Sequence, residues 1–173
     1  MIVVLRLGHR IERDKRLSTH CGLVARAFGA QKIIYSGQKD SGLEESISSV
    51  VKGWGGPFSI EHTESARRVI KDWKGKSVHL TVYGMPVQDK MRELRKEKNL
   101  LVIVGGEKVP PEVYQEVDMN IQVTGQPHSE VASLAVFLHE YFQGKELGKR
   151  FKKAKLTVVP QERGKKVLSK GTR

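Results

Sequence analysis

Three stretches of this chain gather residue types that can do chemistry. The first, "LRLGHRIERDKRLSTHCGLVARAFGA" (5–30), sets Arg10, Arg13 and Arg16 just after a strand-like run. Arg13, Asp14 and Arg16 read as a loop beyond the strand's end, with a helix beginning near Ser18–Thr19. Arginines keep their charge at any working pH and present forked donors, which suits a phosphate or a developing oxyanion. His20 falls on the apolar face of that helix and is either a core histidine or a neutral base. The second, "VGGEKVPPEVY" (104–114), puts Gly105 and Gly106 directly after a buried strand, where backbone amides can approach a ligand. The third, "VTGQPHSEVASLAVFLHEY" (123–141), runs from a strand through Gly125 and Pro127 into a helix opened by His128, Ser129 and Glu130. A capped turn or an anion at the helix amino end both suit it.

Several chemistries lack their residues. The glycine loops match neither GxGxxG nor GxxxxGK[ST], which disfavours a Rossmann dehydrogenase and a P-loop NTPase. There is no GxSxG, and Ser129 beside His128 is not a triad. The six histidines show no HExxH, and the single cysteine, Cys21, excludes an internal disulfide and any CxxC site, so no metal is expected. Cys21 reads as a buried thiol, or one that pairs across a dimer.

The charge points to a polyanion. The 173 residues hold 31 Lys+Arg against 19 Asp+Glu, a net +12. Residues 149–173 carry ten cations and one acid, Glu162, while Arg6, Arg10, Arg13, Lys15 and Arg16 form a second cluster. Basic clusters at both ends of a sequence suggest a phosphate-backbone surface. Arg6, Lys152, Lys153, Lys155, Arg163, Lys165 and Lys166 are the candidate RNA contacts. The start, "MIVVLRLGHR", is apolar first and basic second, the reverse of a secretory signal, and no run is long enough to span a bilayer. A cytoplasmic protein is expected, and a membrane-surface role for the tail lacks an amphipathic helix.

The elements that must position these residues alternate. Strands are expected at 2–7, 31–36, 58–62, 77–84, 100–105 and 119–123, several of them near-continuous aliphatic runs suited to burial on both faces. Helical spacing joins His20, Leu23, Val24, Ala27 and Phe28; Ala66, Val69, Ile70 and Trp73; Val87, Met91 and Leu94; and Val131, Leu134, Ala135, Leu138 and Phe142. The sum is an α/β domain, a mainly parallel sheet flanked by helices. Domain 1–147 is followed by a basic extension, 148–173, in which residues 155–170 read as two short strands around an "ERGK" turn.

In this order, "RDKRLSTHCGLVARAFGA", "LLVIVGGEKVPPEVY" and "NIQVTGQPHSEVASLAVFLHE" resemble the three motifs of the SPOUT class of S-adenosylmethionine-dependent RNA methyltransferases. In detail they are most similar to the archaeal-type tRNA (cytidine-56) ribose 2′-O-methyltransferase family. The resemblance implies a SPOUT fold with a carboxyl-terminal trefoil knot, a homodimer, and S-adenosyl-L-methionine as methyl donor to tRNA. It places the cofactor at Leu80 and Thr81, at Gly105, Gly106, Glu107, Lys108 and Val109, and at Val123, Thr124, Gly125, Gln126, Pro127, His128, Ser129 and Glu130. The first motif lacks the paired asparagines of commoner ribose methyltransferases; Arg10, Arg13, Arg16 and His20 stand in that neighbourhood. The third has Ser129-Glu130-Val131 where Ser-Leu-Asn is usual. Arg16 is the first catalytic candidate, Arg10 and Arg13 the next, and His20 the candidate base. A SPOUT enzyme acting on another RNA position or a base nitrogen, and a catalytically inert RNA-binding protein, are the alternatives.

Overall fold

The computed structural model describes residues 1–106 and 108–170. Six strands form one sheet: β1 (Ile2–His9), β2 (Lys32–Gly37), β3 (Ser59–Thr63), β4 (Lys76–Pro86), β5 (Leu100–Val104) and β6 (Met119–Gln122). The order is β3-β2-β1-β5-β4-β6, and every neighbouring pair is parallel. The helices are α1 (Ile11–Ala27), α2 (Ser41–Trp54), α3 (Ala66–Asp72), α4 (Val87–Leu94), α5 (Pro111–Glu116) and α6 (Glu130–Phe142).

Alternation along the strands sorts these helices into two layers. Val4, Ile33, Val78 and Val102 point toward α1, α2, α4 and α6, in a core completed by Cys21, Leu43, Met91 and Phe137. Val3, Leu5, Leu101 and Ile103 point the other way, toward Ile70 and Val113 beside α3 and α5. Strands buried on both faces explain why these runs are continuously apolar. Caps fix the helix starts: Asp40 accepts from Leu43 N (3.1 Å), Ser65 from Arg68 N (3.2 Å) and Ser129 from Ala132 N (3.2 Å).

The chain builds β1, β2 and β3 outward on one side, then crosses to build β4, β5 and β6 on the other. The reversal lies between β1 and β5, so their carboxyl ends flank a crevice, the usual ligand position in such sheets. β4 adds a second irregularity there: its register against β6 slips between Leu80 and Met85, so residues 81–84 peel away from the sheet. Gly84 permits the return, since a Cβ there would lie 2.4 Å from the Ile121 amide nitrogen.

One expectation is corrected here. Helix α1 begins at Ile11 rather than near Ser18, so Arg13, Asp14 and Arg16 are helical. Arg, Lys and Glu are good helix formers, and the acids Glu12 and Asp14 sit favourably at the positive end. The helix is started by Asp14, which accepts the Arg10 amide (3.2 Å), and by Gln38 Oε1, which accepts the Ile11 amide (2.8 Å). Cys21 is fully buried, and burial pushes its thiol up to about 12. It is an inert core group that cannot bridge subunits.

The extension forms the expected two-stranded antiparallel sheet, β7 (Leu156–Val158) with β8 (Val167–Ser169). It docks at the amino-terminal ends of the strands. Gly56 N donates to Lys152 O (3.1 Å) and Lys155 N to Gly53 O (3.0 Å), just before β3 begins. The Arg26 guanidinium lies 4.2 Å over the Phe151 ring while donating to Trp54 O (2.7 Å).

Candidate active site

The crevice is walled on one side by the β1–α1 corner. His9 is fully buried there, with Nε2 donating to Asp40 Oδ2 (3.2 Å) and Nδ1 facing the Ser18 hydroxyl (2.8 Å). The Ser-His-Asp arrangement is a tether, not a nucleophile, because Ser18 is 2% exposed. Burial alone would raise the Asp40 carboxyl, but the Leu43 amide and His9 reverse this and hold it below the usual carboxylate range. The tether fixes Arg10 as the first residue before the helix. Arg10 Nε donates to Asp14 Oδ2 at 2.9 Å. Burial opposes ionisation of Asp14, yet Arg10, with a further contribution from Arg6, depresses its carboxyl.

The other wall is the β5–α5 loop and the peeled end of β4. A 540 Å³ cavity runs between them, lined by Leu80, Thr81, Gly105, Gly106, Val109, His128 and Glu130 from the expected set, and by Arg10 and Arg13. Gly105 is required for its shape, since a Cβ would lie 2.0 Å from the Val109 side chain. The floor holds His79, which sequence reasoning missed. Asn120 Nδ2 donates to Tyr114 O (2.8 Å), which turns its Oδ1 toward His79 Nδ1 (3.0 Å). His79 therefore carries its proton on Nδ1 and keeps Nε2 as an acceptor. Burial lowers its pKa, against the Asn120 hydrogen bond, and holds the ring neutral at pH 7. At the rim, His128 Nδ1 donates to Ser129 O (3.2 Å), while its Nε2 is buried without a partner.

A second cavity of 880 Å³ opens beyond β1 and β2 toward α3 and α5. It shares Arg10, Arg13 and Gly106 with the first, so the two meet at an arginine edge.

Other expected residues fall elsewhere. Lys108 faces the second cavity, and Glu107 lies outside the described residues. Val123, Thr124, Gly125, Gln126, Pro127 and Ser129 form the approach to α6 without lining either cavity; Ser129 caps the helix. Arg16 and His20 are exposed on α1 and line neither cavity, because the helix carries them past the crevice. His20 is not the core residue its spacing suggested. Arg6 is not a surface contact: it is fully buried, its Nη1 donating to Leu7 O, and its Nε and Nη2 are without partners. Its alternation on β1 points it inward, under Gly106. Lys152, Lys153 and Lys155 join Lys52 around a 610 Å³ groove floored by Val51 and Pro57, and Arg163, Lys165 and Lys166 are exposed between β7 and β8. Among the described residues no group of three or more His, Cys, Asp or Glu is placed to hold a metal, and no helix is long and apolar enough to cross a membrane.

Residues 54–168 match the family model described as tRNA ribose 2′-O-methyltransferase, aTrm56. The chain belongs to this family. It is 56% identical over 168 residues to the tRNA (cytidine(56)-2′-O)-methyltransferase of Methanopyrus kandleri, covering 95% of this chain and 94% of that protein. The enzyme of the same name from Thermococcus kodakarensis is 54% identical over 174 residues, covering 97% of each. Among solved structures, the SpoU methyltransferase AviRb from Streptomyces viridochromogenes, in complex with the cofactor AdoMet, superposes with a TM-score of 0.61 at 15% identity. That match covers 86% of this chain and 59% of AviRb. The A. aeolicus TrmH/SpoU tRNA modifying enzyme gives 0.60 at 14% identity, over 84% and 76%. The chain thus has the SPOUT methyltransferase fold, as its three motifs imply.

Proposed function

We propose that this chain transfers the methyl group of S-adenosyl-L-methionine to the ribose 2′-hydroxyl of cytidine 56 in tRNA. The observation that carries the reading is the 540 Å³ cavity, whose walls are the glycine loop and β4 end and whose edge is Arg10 and Arg13. Its residues fit the cofactor. The unpartnered Nε2 of His128 and the fixed acceptor Nε2 of His79 suit donors on an adenosine or an ammonium, and Gly105 and Gly106 let the backbone approach.

When bound, the cofactor supplies a methyl group already activated on a sulfonium. The protein must then align the 2′-oxygen and stabilise the charge it gains. Arg10, held by Asp14, and Arg13 one turn on place two guanidiniums where that oxygen becomes an alkoxide. Neither can take the proton, because arginine stays charged below about pH 12. Glu130, His128 Nε2 and His79 Nε2 are acceptors that line this cavity.

The reading includes a homodimer, a trefoil knot at the β4–β6 crossover, and a methyltransferase domain of residues 1–147. β4 lying between β5 and β6 is the strand order such a knot needs. It also gives the 148–173 extension to tRNA binding, supported by the four lysines around the groove at Pro57, and places the protein in the cytoplasm with its substrate.

Incubation with tRNA and radiolabelled cofactor, followed by alkaline hydrolysis, tests the assignment. A 2′-O-methyl protects the adjoining phosphodiester, so label should appear in one alkali-resistant dinucleotide starting at C56. Label on a base, or at another ribose, overturns the position; absence of cofactor binding by calorimetry overturns the enzyme.

A further inference from the structure

The 880 Å³ cavity on the α3/α5 side is larger than the cofactor cavity and has a lining of a different kind. Leu7, Ala66, Pro110 and Val113 give it an apolar wall. Its polar rim comes from three separate elements: Gln38 after β2, Arg67 on α3 and Glu112 on α5. Gln38 Oε1 is engaged by the Ile11 amide (2.8 Å), which turns its NH₂ group away from that bond as a donor. Arg67 is held by Glu116 (2.7 Å). Glu116 raises the Arg67 pKa and Glu112 stands close enough to add to it, so the Glu112 carboxylate lies on the α3/α5 side and the Gln38 amide donor on the β2 side. An apolar wall with those two groups matches a planar heterocycle that has both acceptor and amino edges.

Its position adds the reaction's own constraint. The cavity lies at the β1/β5 reversal and, among the described residues, shares Arg10, Arg13 and Gly106 with the cofactor cavity. A methyl-accepting oxygen must sit beside the donor, and this shared edge is the junction from which a nucleoside extends into the second cavity. The buried Arg6 guanidinium behind Gly106, with two unpartnered nitrogens, adds positive potential at that junction.

We propose that this second cavity is the acceptor-nucleoside subsite, taking a cytosine extruded from the RNA, with Glu112 accepting from its exocyclic amine and Gln38 donating to its carbonyl edge. The proposal rests on the methyltransferase reading above. A cytosine presents an amine where uracil presents a carbonyl, so the Glu112 carboxylate distinguishes the two. The aliphatic wall covers the ring faces that unstacking exposes.

The test compares wild-type protein with Ala66→Trp and Glu112→Gln, using tRNA transcripts carrying cytidine or uridine at the target position. Ala66→Trp fills the cavity from the half-exposed first turn of α3. It should leave cofactor affinity within about 2-fold while kcat/KM for methyl transfer falls about 100-fold or more. Glu112→Gln should keep cofactor affinity and lower the preference for cytidine over uridine by about 10-fold. Wild-type transfer by Ala66→Trp overturns the subsite. Should the indole also disturb cofactor binding, Glu112→Gln decides, since it changes no volume: an unaltered preference overturns the proposal. A wild-type protein that methylates no tRNA refutes the function itself, a result these variants cannot imitate.

Discussion

The two basic clusters stand at opposite ends of one parallel sheet and are held in different ways. At the carboxyl ends of the strands, Arg10 is clamped by Asp14, and the corner beneath it is pinned by His9 and Asp40. At the amino ends, Lys152, Lys153 and Lys155 stand exposed around an apolar groove, anchored through backbone contacts and Phe151 rather than through their ammonium groups. Fixed guanidiniums suit charge that appears at one atom in a transition state. Mobile ammonium groups suit a polyphosphate whose register is not specified. Under the proposed function, the first cluster serves chemistry and the second capture.

The sharpest way to break this contrast is in single-turnover methyl transfer at saturating tRNA. Arg13→Ala should lower the rate about 100-fold or more, as loss of an oxyanion donor does, with cofactor affinity little changed. Arg16→Ala, three residues on but outside both cavities, should stay within about 3-fold. An equal loss in both would place Arg16 in an active site completed by a second copy of the chain.

The lysine end should answer to salt instead. Replacing Lys152, Lys153 and Lys155 together by Ser should weaken tRNA binding about 10-fold near physiological salt. The slope of log K against log salt should fall by about 1 for each phosphate no longer neutralised. Cofactor affinity and the single-turnover rate on bound tRNA should not move. Unaltered tRNA affinity, here and in a chain lacking residues 150–173, would make the extension structural.

How far the sequence carried can be seen in the same two regions. The sheet was legible because strands buried on both faces must be near-continuous runs of Val, Ile and Leu, and the capped start of α6 at Ser129 is a local signal. The extension was legible because its turn lies between short stretches rich in Leu and Val. The start of α1 was not, since its first turn is charged and the apolar period appears only later. His79 was hidden inside "SVHLTV"; a buried histidine requires a partner, but only the β4–β6 pairing brings Asn120 to it. The second cavity had no local signal at all. Its rim comes from residues 38, 67 and 112, joined by a strand order that hydrophobic periodicity does not encode.

The smallest effect concerns acid. Asp14 and Asp40 both have folded carboxyl pKa values below their ordinary ones, so their stabilisation is complete above the unfolded value of about 4 and fades as pH falls through the folded ones. Asp40→Asn separates cap from charge. Asparagine keeps the acceptor for the Leu43 amide and removes the carboxylate facing His9. Denaturant unfolding should show a loss of about 1–2 kcal/mol at pH 7 that shrinks as pH falls through the lowered folded pKa of Asp40, where the wild-type carboxyl also takes up its proton. Methyl transfer should fall with it, because the loosened corner carries Arg10. The triple lysine variant should follow the wild-type acid curve, since none of its side chains faces a buried carboxylate. A pH-independent loss in Asp40→Asn would mean that His9 is held by shape and that the arginine end does not depend on its buried acid.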